Sequence, residues 1–453
     1  MGENVRRVDA DGSAGYLSYR NPVSSLCENL NRFAERLRPR LPLWIVLAVV
    51  IPRLVFLAIS PGRNVYGNAP GELAVARNIT AGHGYVDANG QPDSDFNPGY
   101  PAFLSLCRFL FGDSLWPIKL AHIAFDVGTA LALTGVLAGA CSTLTVILLA
   151  AAFALHPLFL LLCNNVNDEP LLTFLVAISF VALYRALNHP SYWRFVIAGA
   201  TVGLAIFTKS TAIFLPLFLA GVLWLATRKA GAFSLRHWIV YLLASIAVLL
   251  PWSYRNYVAL GHFAFNVHNI GQNLWFGSDP RIFTSYGKAM RANAAELAAE
   301  MTARGIRPPA TGNDFDRQHW QLQMAIQEYK DLLHHPVALT RLLWLKATRT
   351  LYASEDRPSG HLPMILLQVP TLLLAAYGIT RLWKRVETQT LAWLLTLYVG
   401  YYYSVVSVGM PMVRYFVPAI PFLLAGAAVG LAALLQTAKN ATSIVTHLEP
   451  LKQ

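Results

Sequence analysis

The sequence predicts an all-α integral membrane protein with about ten transmembrane helices and a polar loop domain on the outer face. Of its 453 residues, 55% are hydrophobic and only 13% are charged, whereas charged residues make up about a quarter of a soluble domain. Apolar runs of about 20 residues recur, the length that a helix needs to cross a hydrocarbon core roughly 30 Å thick. Basic residues flank these runs and form no compact basic domain, so the net charge of +12 indicates membrane orientation and anionic lipid rather than nucleic acid.

The topology follows from where the basic residues fall. Residues 1–40 form a basic tail without the apolar core of a cleavable signal peptide, and the positive-inside rule places this tail in the cytoplasm. Ten spans then return the chain to the cytoplasm, where the short basic loops also lie. The spans are predicted at about 41–59, 115–137, 142–163, 171–187, 195–207, 212–226, 238–252, 362–383, 391–408 and 413–435, before a cytoplasmic tail at 436–453.

Two long polar segments are expected on the outer face. The first, 60–113, contains a predicted helix near 71–81 and another after Pro101. The second, 257–353, contains helical patches at 289–304 and 317–333. Its last part, 336–353, is predicted to be an interfacial helix, because basic residues interrupt it too often for a span.

The cysteines and histidines point to no metal centre or disulfide framework. The four cysteines lie far apart without CxxC spacing. The histidines form no cluster with metal-ligand spacing. The cofactor therefore stays unknown, and a divalent cation is possible but not implied by the spacing of any ligands.

The candidate reaction site is the stretch from Tyr66 to Phe103 within the first outer loop, 60–113. It follows the first apolar span and ends on a stiff Asn-Pro-Gly-Tyr-Pro turn at 97–101. Carboxylates and cations converge on this predicted face: Glu72, Asp93, Asp95, Asp168, Glu169, Lys209, Arg255 and Arg414. A carboxylate in a partly desolvated pocket has a raised pKa, which suits it to take a proton from an acceptor. Nearby cations stabilise the charge that develops on a departing phosphate.

Structural alternatives exist for several of these residues. Glu72 has helical spacing to Arg77 and could pair with it. Asp95 could cap a turn, and Asp168-Glu169-Pro170 has the form of a helix start. Lys209 lies between two apolar spans, which is costly unless it reaches the interface or binds an anion.

Several short stretches lie in order at the predicted outer ends of the spans. They are Ala-Arg-Asn at 76–78, Gly-His-Gly-Tyr at 82–85, the turn at 97–101, Asn-Asp-Glu-Pro at 167–170, Gly-Leu-Ala at 203–205 before Lys209, Pro-Trp-Ser-Tyr-Arg-Asn-Tyr at 251–257 with Gly261, 269–277, and Arg-Tyr at 414–415 with Pro418 and Pro421. With them, residues 41–435 resemble the GT-C membrane glycosyltransferases, in particular the bacterial dolichyl-phosphate-mannose protein mannosyltransferase-like group.

The resemblance implies a polyprenyl-phosphate-sugar-dependent, inverting glycosyltransferase. Its partners are the lipid-linked sugar donor, membrane lipid and a glycan, lipid or protein acceptor. Its expected location is the bacterial inner membrane, with the active site facing the periplasm. Glu72 is the first candidate for the base, before Asp93 and Asp95. The substrate- and phosphate-binding candidates are Asp168, Glu169, Lys209, Arg255, Arg414 and Tyr100.

One position departs from the family pattern. The family usually has an aspartate shortly before the Ala-Arg-Asn helix, where this chain has Asn68. An amide cannot act as a base, and Glu72 follows one helical turn later. Two alternatives stay open at this stage: a catalytically silent member of the same fold, and a transporter or flippase of lipid-linked sugars, which predicts charged residues buried near the middle of several spans.

Overall fold

The computed structural model describes residues 22–60, 65, 67–227, 234–265, 269–309, 314–354 and 358–448. Within these ranges the regular structure is helical, apart from one isolated bridge between Val86 and Pro92. Most of the expected basic tail, together with Tyr66, lies outside the described residues. The predicted all-α class is confirmed.

Twenty α-helices follow one another along the described residues. They are α1 (Pro22–Leu37), α2 (Leu41–Ile59), α3 (Ala69–Thr80), α4 (Gly99–Phe111), α5 (Trp116–Ala138), α6 (Thr143–Leu155), α7 (Pro157–Cys163), α8 (Glu169–Asn188), α9 (Tyr192–Thr208), α10 (Leu215–Thr227), α11 (Leu235–Leu260), α12 (Ile270–Phe276), α13 (Pro280–Phe283), α14 (Gly287–Ala303), α15 (Asp314–Leu333), α16 (Pro336–Arg349), α17 (His361–Trp383), α18 (Gln389–Val408), α19 (Val413–Phe416) and α20 (Ile420–Leu448).

The described helices support an integral membrane protein. Seven are long and apolar enough to cross a membrane, and the bent pair of α6 and α7 makes an eighth if it counts as one span. The apolar helices Tyr192–Thr208 and Ser210–Ala226 are shorter. Each of the ten predicted spans coincides with an apolar helix or helix pair, while ten crossings stays a prediction.

The span predicted over 142–163 is two helices instead of one. α6 ends at Leu155, α7 begins at Pro157, and the two are bent by 53°. His156 between them is extended, with φ −66° and ψ 123°, because a proline ring disfavours the helical conformation of the residue before it.

Small residues let pairs of helices pack backbone to backbone. A Cβ added at Gly378 would lie 2.0 Å from the carbonyl oxygen of Gly426, and one at Gly199 would lie 2.1 Å from that of Tyr241. Because lipid provides little hydrophobic drive between helices, such close contact is a main source of their association. It joins α17 to α20 and α9 to α11.

An ion pair is buried inside the bundle. Arg53 Nε donates to Asp126 Oδ2 at 2.6 Å, and both side chains are at most 2% exposed. Arg53 Nη1 donates to the carbonyl oxygen of Ala154 at 3.3 Å. That carbonyl lies in the last turn of α6, where the break at His156 leaves carbonyl groups without a helical hydrogen-bond donor. The guanidinium supplies a donor there.

The polar segments fold largely as predicted. α3 and α4 match the two helices expected in the first outer loop, and α14, α15 and α16 match those expected at 289–304, 317–333 and 336–353. The helices α12 to α15 enclose a small core of their own around Trp275, Leu297 and Met324. The second polar segment therefore forms a helical layer at the end of the bundle that carries the first outer loop.

Removing one partner of the Arg53–Asp126 pair leaves a buried charge uncompensated. We expect Arg53→Met to destabilise the protein by about 3–5 kcal/mol. Arg53→Met combined with Asp126→Leu should recover much of that loss. Thermal unfolding of the purified protein in detergent measures both. The exposed Arg32–Glu28 pair provides the control, because Arg32→Gln should have little effect. If the double variant lost as much stability as Arg53→Met and Asp126→Leu together, the pairing argument would be contradicted.

Candidate active site

Four segments that are distant in the sequence meet at one end of the bundle. Glu72 lies in the first turn of α3, while Asp168 and Glu169 stand at the start of α8. Lys209 directly follows α9, and Arg414 lies in α19.

Lys209 and Arg414 share one carboxylate oxygen. Lys209 Nζ donates to Asp168 Oδ1 at 2.6 Å and to Glu169 Oε1 at 2.8 Å. Arg414 Nε donates to the same Glu169 Oε1 at 2.6 Å. Burial alone lowers the pKa of Lys209, but the charges of Asp168 and Glu169 more than offset this and hold the pKa above its ordinary value. Lys209 therefore stays cationic.

The residues at the start of α8 both begin the helix and contribute to the charged cluster. Pro170 occupies the first turn, where its missing N–H is no loss. Asp168 holds the N-cap position, yet its side chain makes no capping bond and binds Lys209 instead. Acidic residues are favourable at the positive end of a helix dipole, so the helix-start reading and the site reading of this pair are compatible.

Glu72 is buried beside this cluster. It is 5% exposed, and its Oε2 has no hydrogen-bond partner among the described residues. Burial raises the pKa of Glu72 well above its ordinary value, and the charge of Asp168 adds to that effect, so that the opposing charge of Lys209 is outweighed. Arg77, the alternative helical partner, is exposed. Glu72 is thus a carboxyl group that holds its proton more tightly than a glutamate in water.

The position that departs from the family pattern is exposed. Asn68, at the N-cap of α3, is exposed and makes no side-chain capping bond. Gly71 lets the Phe96 ring pack closely beside Glu72, because a Cβ there would lie 2.5 Å from that ring. Of positions 68 and 72, only Glu72 brings a buried carboxyl to the cluster.

Tyr100 places a phenol near the carboxylates. The turn before it packs tightly on the end of α9, where a Cβ at Gly99 would lie 2.6 Å from Thr208 Oγ1. Tyr100 is 1% exposed, and its hydroxyl lies 3.1 Å from His122 Nε2. Burial raises the pKa of Tyr100, and the charges of Glu72 and Asp168 add to this. The hydroxyl therefore stays neutral and in contact with His122.

The two other candidate bases contribute to the structure of the first outer loop. Asp93 is buried, and its Oδ1 accepts a hydrogen bond from the Asp95 main-chain N–H at 2.6 Å. The Asp95 carboxylate pairs with Arg317 of α15 at 2.5 Å, and both side chains are more than a third exposed. An ion-paired, solvent-accessible Asp95 lacks the desolvated surroundings of Glu72.

Arg255 fastens the first outer loop to α11. Its guanidinium donates to the carbonyl oxygens of Asp93 at 2.7 Å and Tyr85 at 2.5 Å. The same group lies over the rings of Tyr85 and Trp252, at 5.2 and 4.8 Å from their centres. In this structure Arg255 therefore contacts the loop itself, while Lys209 and Arg414 are the cations at the carboxylate cluster.

Sequence reasoning missed three residues around the site. Tyr85 lies close enough for the charges of Asp93 and Glu72 to act on its hydroxyl, Arg317 holds Asp95, and His122 contacts Tyr100. His122 had a usable signal, because Lys119, His122 and Asp126 recur at helical spacing within an apolar span. Among the described residues, no three histidine, cysteine, aspartate or glutamate side chains have the arrangement of a metal site.

The raised pKa of Glu72 has a direct chemical test. Dicyclohexylcarbodiimide modifies protonated carboxyl groups in apolar surroundings, so we expect it to label Glu72 at pH values where ordinary glutamates are already ionised. Labelling should fall as the pH rises through the raised pKa, because ionised carboxylates do not react. Peptide mass spectrometry measures the site and extent of labelling. Glu72→Gln removes the signal, and the ion-paired Asp95 is an internal control.

If Glu72 were labelled only at pH values below about 5, where ordinary glutamates are protonated, its pKa would not be raised.

Residues 92–254 match the family described as dolichyl-phosphate-mannose-protein mannosyltransferase. The matched segment contains Asp93, Asp95 and Tyr100 and reaches beyond Lys209, while Glu72 precedes it and Arg414 follows it. No curated protein sequence matches the chain.

Solved structures extend the likeness to most of the chain. The archaeal oligosaccharyltransferase AglB from Archaeoglobus fulgidus, in complex with an inhibitory peptide and a dolichol-phosphate, aligns with 90% of this chain at 12% identity and a TM-score of 0.50. This chain spans 54% of AglB. ArnT from Cupriavidus metallidurans is similar with undecaprenyl phosphate bound (15% identity, 87% of this chain and 78% of that one, TM-score 0.43). Its apo form is also similar, at 16% identity over 86% of this chain and 77% of that chain, with a TM-score of 0.40. With the AglB alignment and the family match, the chain has a GT-C, mannosyltransferase-like fold.

Proposed function

We propose that this protein is an inverting glycosyltransferase that moves a sugar from a polyprenyl-phosphate donor to an acceptor glycan, lipid or protein. The reaction takes place at the outer, periplasmic face of a bacterial inner membrane. The observation that carries the proposal is Glu72, a buried carboxyl with a raised pKa beside two cations in a GT-C fold. AglB, whose fold the chain shares, was solved with a dolichol-phosphate, and the proposal extends that class of lipid to this chain.

The chemistry follows from the charges of the site. Glu72 removes the proton of an acceptor O–H or N–H as the acceptor atom attacks the anomeric carbon from the face opposite the phosphate. The bond from that carbon to the phosphate oxygen breaks, and the lipid phosphate leaves with the electron pair. Lys209 and Arg414 stabilise the charge on the leaving phosphate. A base with a pKa raised toward the working pH transfers protons efficiently.

The surrounding residues orient these groups. Asp168 and Glu169 hold the cations, Tyr100 donates a hydrogen bond toward substrate, and Arg255 keeps the first outer loop in place. The layer formed by α12 to α16 covers the site and recognises the acceptor. Glu72 precedes Asp93 and Asp95 as the base because it alone lies both buried and beside Lys209 and Arg414.

Transfer from a radiolabelled polyprenyl-phosphate sugar in membranes tests this function. We expect Glu72→Gln to lower the rate about 10²–10⁴-fold, the usual contribution of a general base. Asp95→Asn serves as the matched carboxylate-to-amide control and should keep most of the activity. Full activity of Glu72→Gln would refute the base assignment. Absence of transfer with every donor tested would refute the enzymatic function and favour a silent or transporting member of the fold.

A further inference from the structure

The cations that the proposed function assigns to the donor phosphate are already bound by carboxylates. Lys209 contacts Asp168 and Glu169, and Arg414 contacts Glu169. With Glu72, the cluster holds three carboxyl groups and two cations. A phosphate that enters beside these intact pairs meets no net positive charge. Direct contact of the donor phosphate with these cations is favoured when one of the carboxylates gives up its contacts with them.

Glu169 contacts both cations of the cluster through one oxygen. Its Oε1 accepts from Lys209 at 2.8 Å and from Arg414 at 2.6 Å. It belongs to the first turn of α8, a 20-residue helix, and the amino end of a helix is favourable for anions. Asp168, by contrast, contacts Lys209 alone. One oxygen of Glu169 thus bridges the two cations, as a phosphate oxygen in its place would.

A receptor for the displaced carboxylate lies one turn along the same helix. Thr173 is fully buried, and its hydroxyl has no hydrogen-bond partner among the described residues. The second oxygen of Glu169, Oε2, also has no partner there. Residues four apart lie on the same face of a helix, so a change of the Glu169 rotamer can bring its carboxylate to a hydroxyl that is able to donate.

We propose that Glu169 is a displaceable counter-ion, which neutralises Lys209 and Arg414 in the resting site and moves to the Thr173 hydroxyl when the donor phosphate binds. The inference rests on the proposed function and adds a rule of selectivity. A free anion has only its charge with which to displace Glu169. A lipid phosphate also gains the burial of its apolar tail, so it can displace Glu169 where inorganic phosphate cannot.

Binding to the purified full-length protein tests the inference, with undecaprenyl phosphate and inorganic phosphate as probes. Native mass spectrometry or calorimetry in detergent measures the dissociation constants. We expect Glu169→Gln to bind undecaprenyl phosphate about tenfold more tightly, since an amide holds the cations far less strongly than a carboxylate. Inorganic phosphate should become a measurable ligand of that variant only. Thermal unfolding confirms that the variants are folded.

Matched variants separate the specific contact from general charge. Asp168→Asn removes the same charge but leaves the Glu169 bridge, so it should tighten binding by less than about threefold. Thr173→Val should weaken binding of undecaprenyl phosphate, and Thr173→Ser, which keeps the hydroxyl, should restore it. Equal gains from Asp168→Asn and Glu169→Gln, or weaker binding by Glu169→Gln, would overturn the proposal.

The outcomes distinguish this inference from the function on which it rests. If Lys209→Met binds undecaprenyl phosphate as well as the wild type, the cations do not hold the phosphate and both ideas fail. If Lys209→Met loses binding while Glu169→Gln gains none, the phosphate site stands and the counter-ion role of Glu169 is refuted.

Discussion

The contact of Glu169 with Lys209 and Arg414 is the interaction on which the arrangement of the site depends. It joins the start of α8 to the end of α9 and to α19, three places that are 40 to 245 residues apart in the sequence. Charges buried to this degree are tolerated only when each has a well-placed partner. A single carboxylate with two cations thereby fixes the positions of the other charged groups, and Glu72 must fit beside a cluster that is already neutral.

A second set of polar contacts, on α5, supports that cluster from inside the bundle. Lys119 donates to Asn164 at 2.9 Å, and Asn164 donates to the carbonyl oxygen of Ser60 at 2.5 Å, so the segment before α8 is tied to α2 and α5. One turn from Lys119, His122 contacts Tyr100. One turn further, Asp126 holds Arg53 at the break between α6 and α7. The polar face of α5 thus links the first outer loop and the start of α8 to one rigid helix.

The sequence could predict the spans and the convergence of charges but not the pairing among them. Hydropathy depends on windows of about 20 residues, and the alternation of sides then brings Glu72, Lys209 and Arg414 to one face of the membrane. A single charge such as Arg53 or Asp126 barely changes the mean hydropathy of such a window, so hydropathy does not reveal the buried pair. The break before Pro157 lies within a continuous apolar run, so hydropathy alone does not separate α6 from α7. Burial beside Lys209 and Arg414, which separates Glu72 from Asp93 and Asp95 as a base, arises from tertiary contacts that local patterns do not contain.

The charge balance of the site links the raised pKa of Glu72 to the proposed counter-ion role of Glu169. A site of low dielectric constant disfavours net charge, and two carboxylates with two cations already sum to zero. Glu72 is the third carboxyl group, and its burial, to which the charge of Asp168 adds, raises its pKa well above the ordinary value. An entering phosphate adds negative charge and raises that pKa further, so Glu72 must release its proton to solvent before it can accept one from the acceptor. The charges that keep the resting site neutral therefore also set the basicity of Glu72.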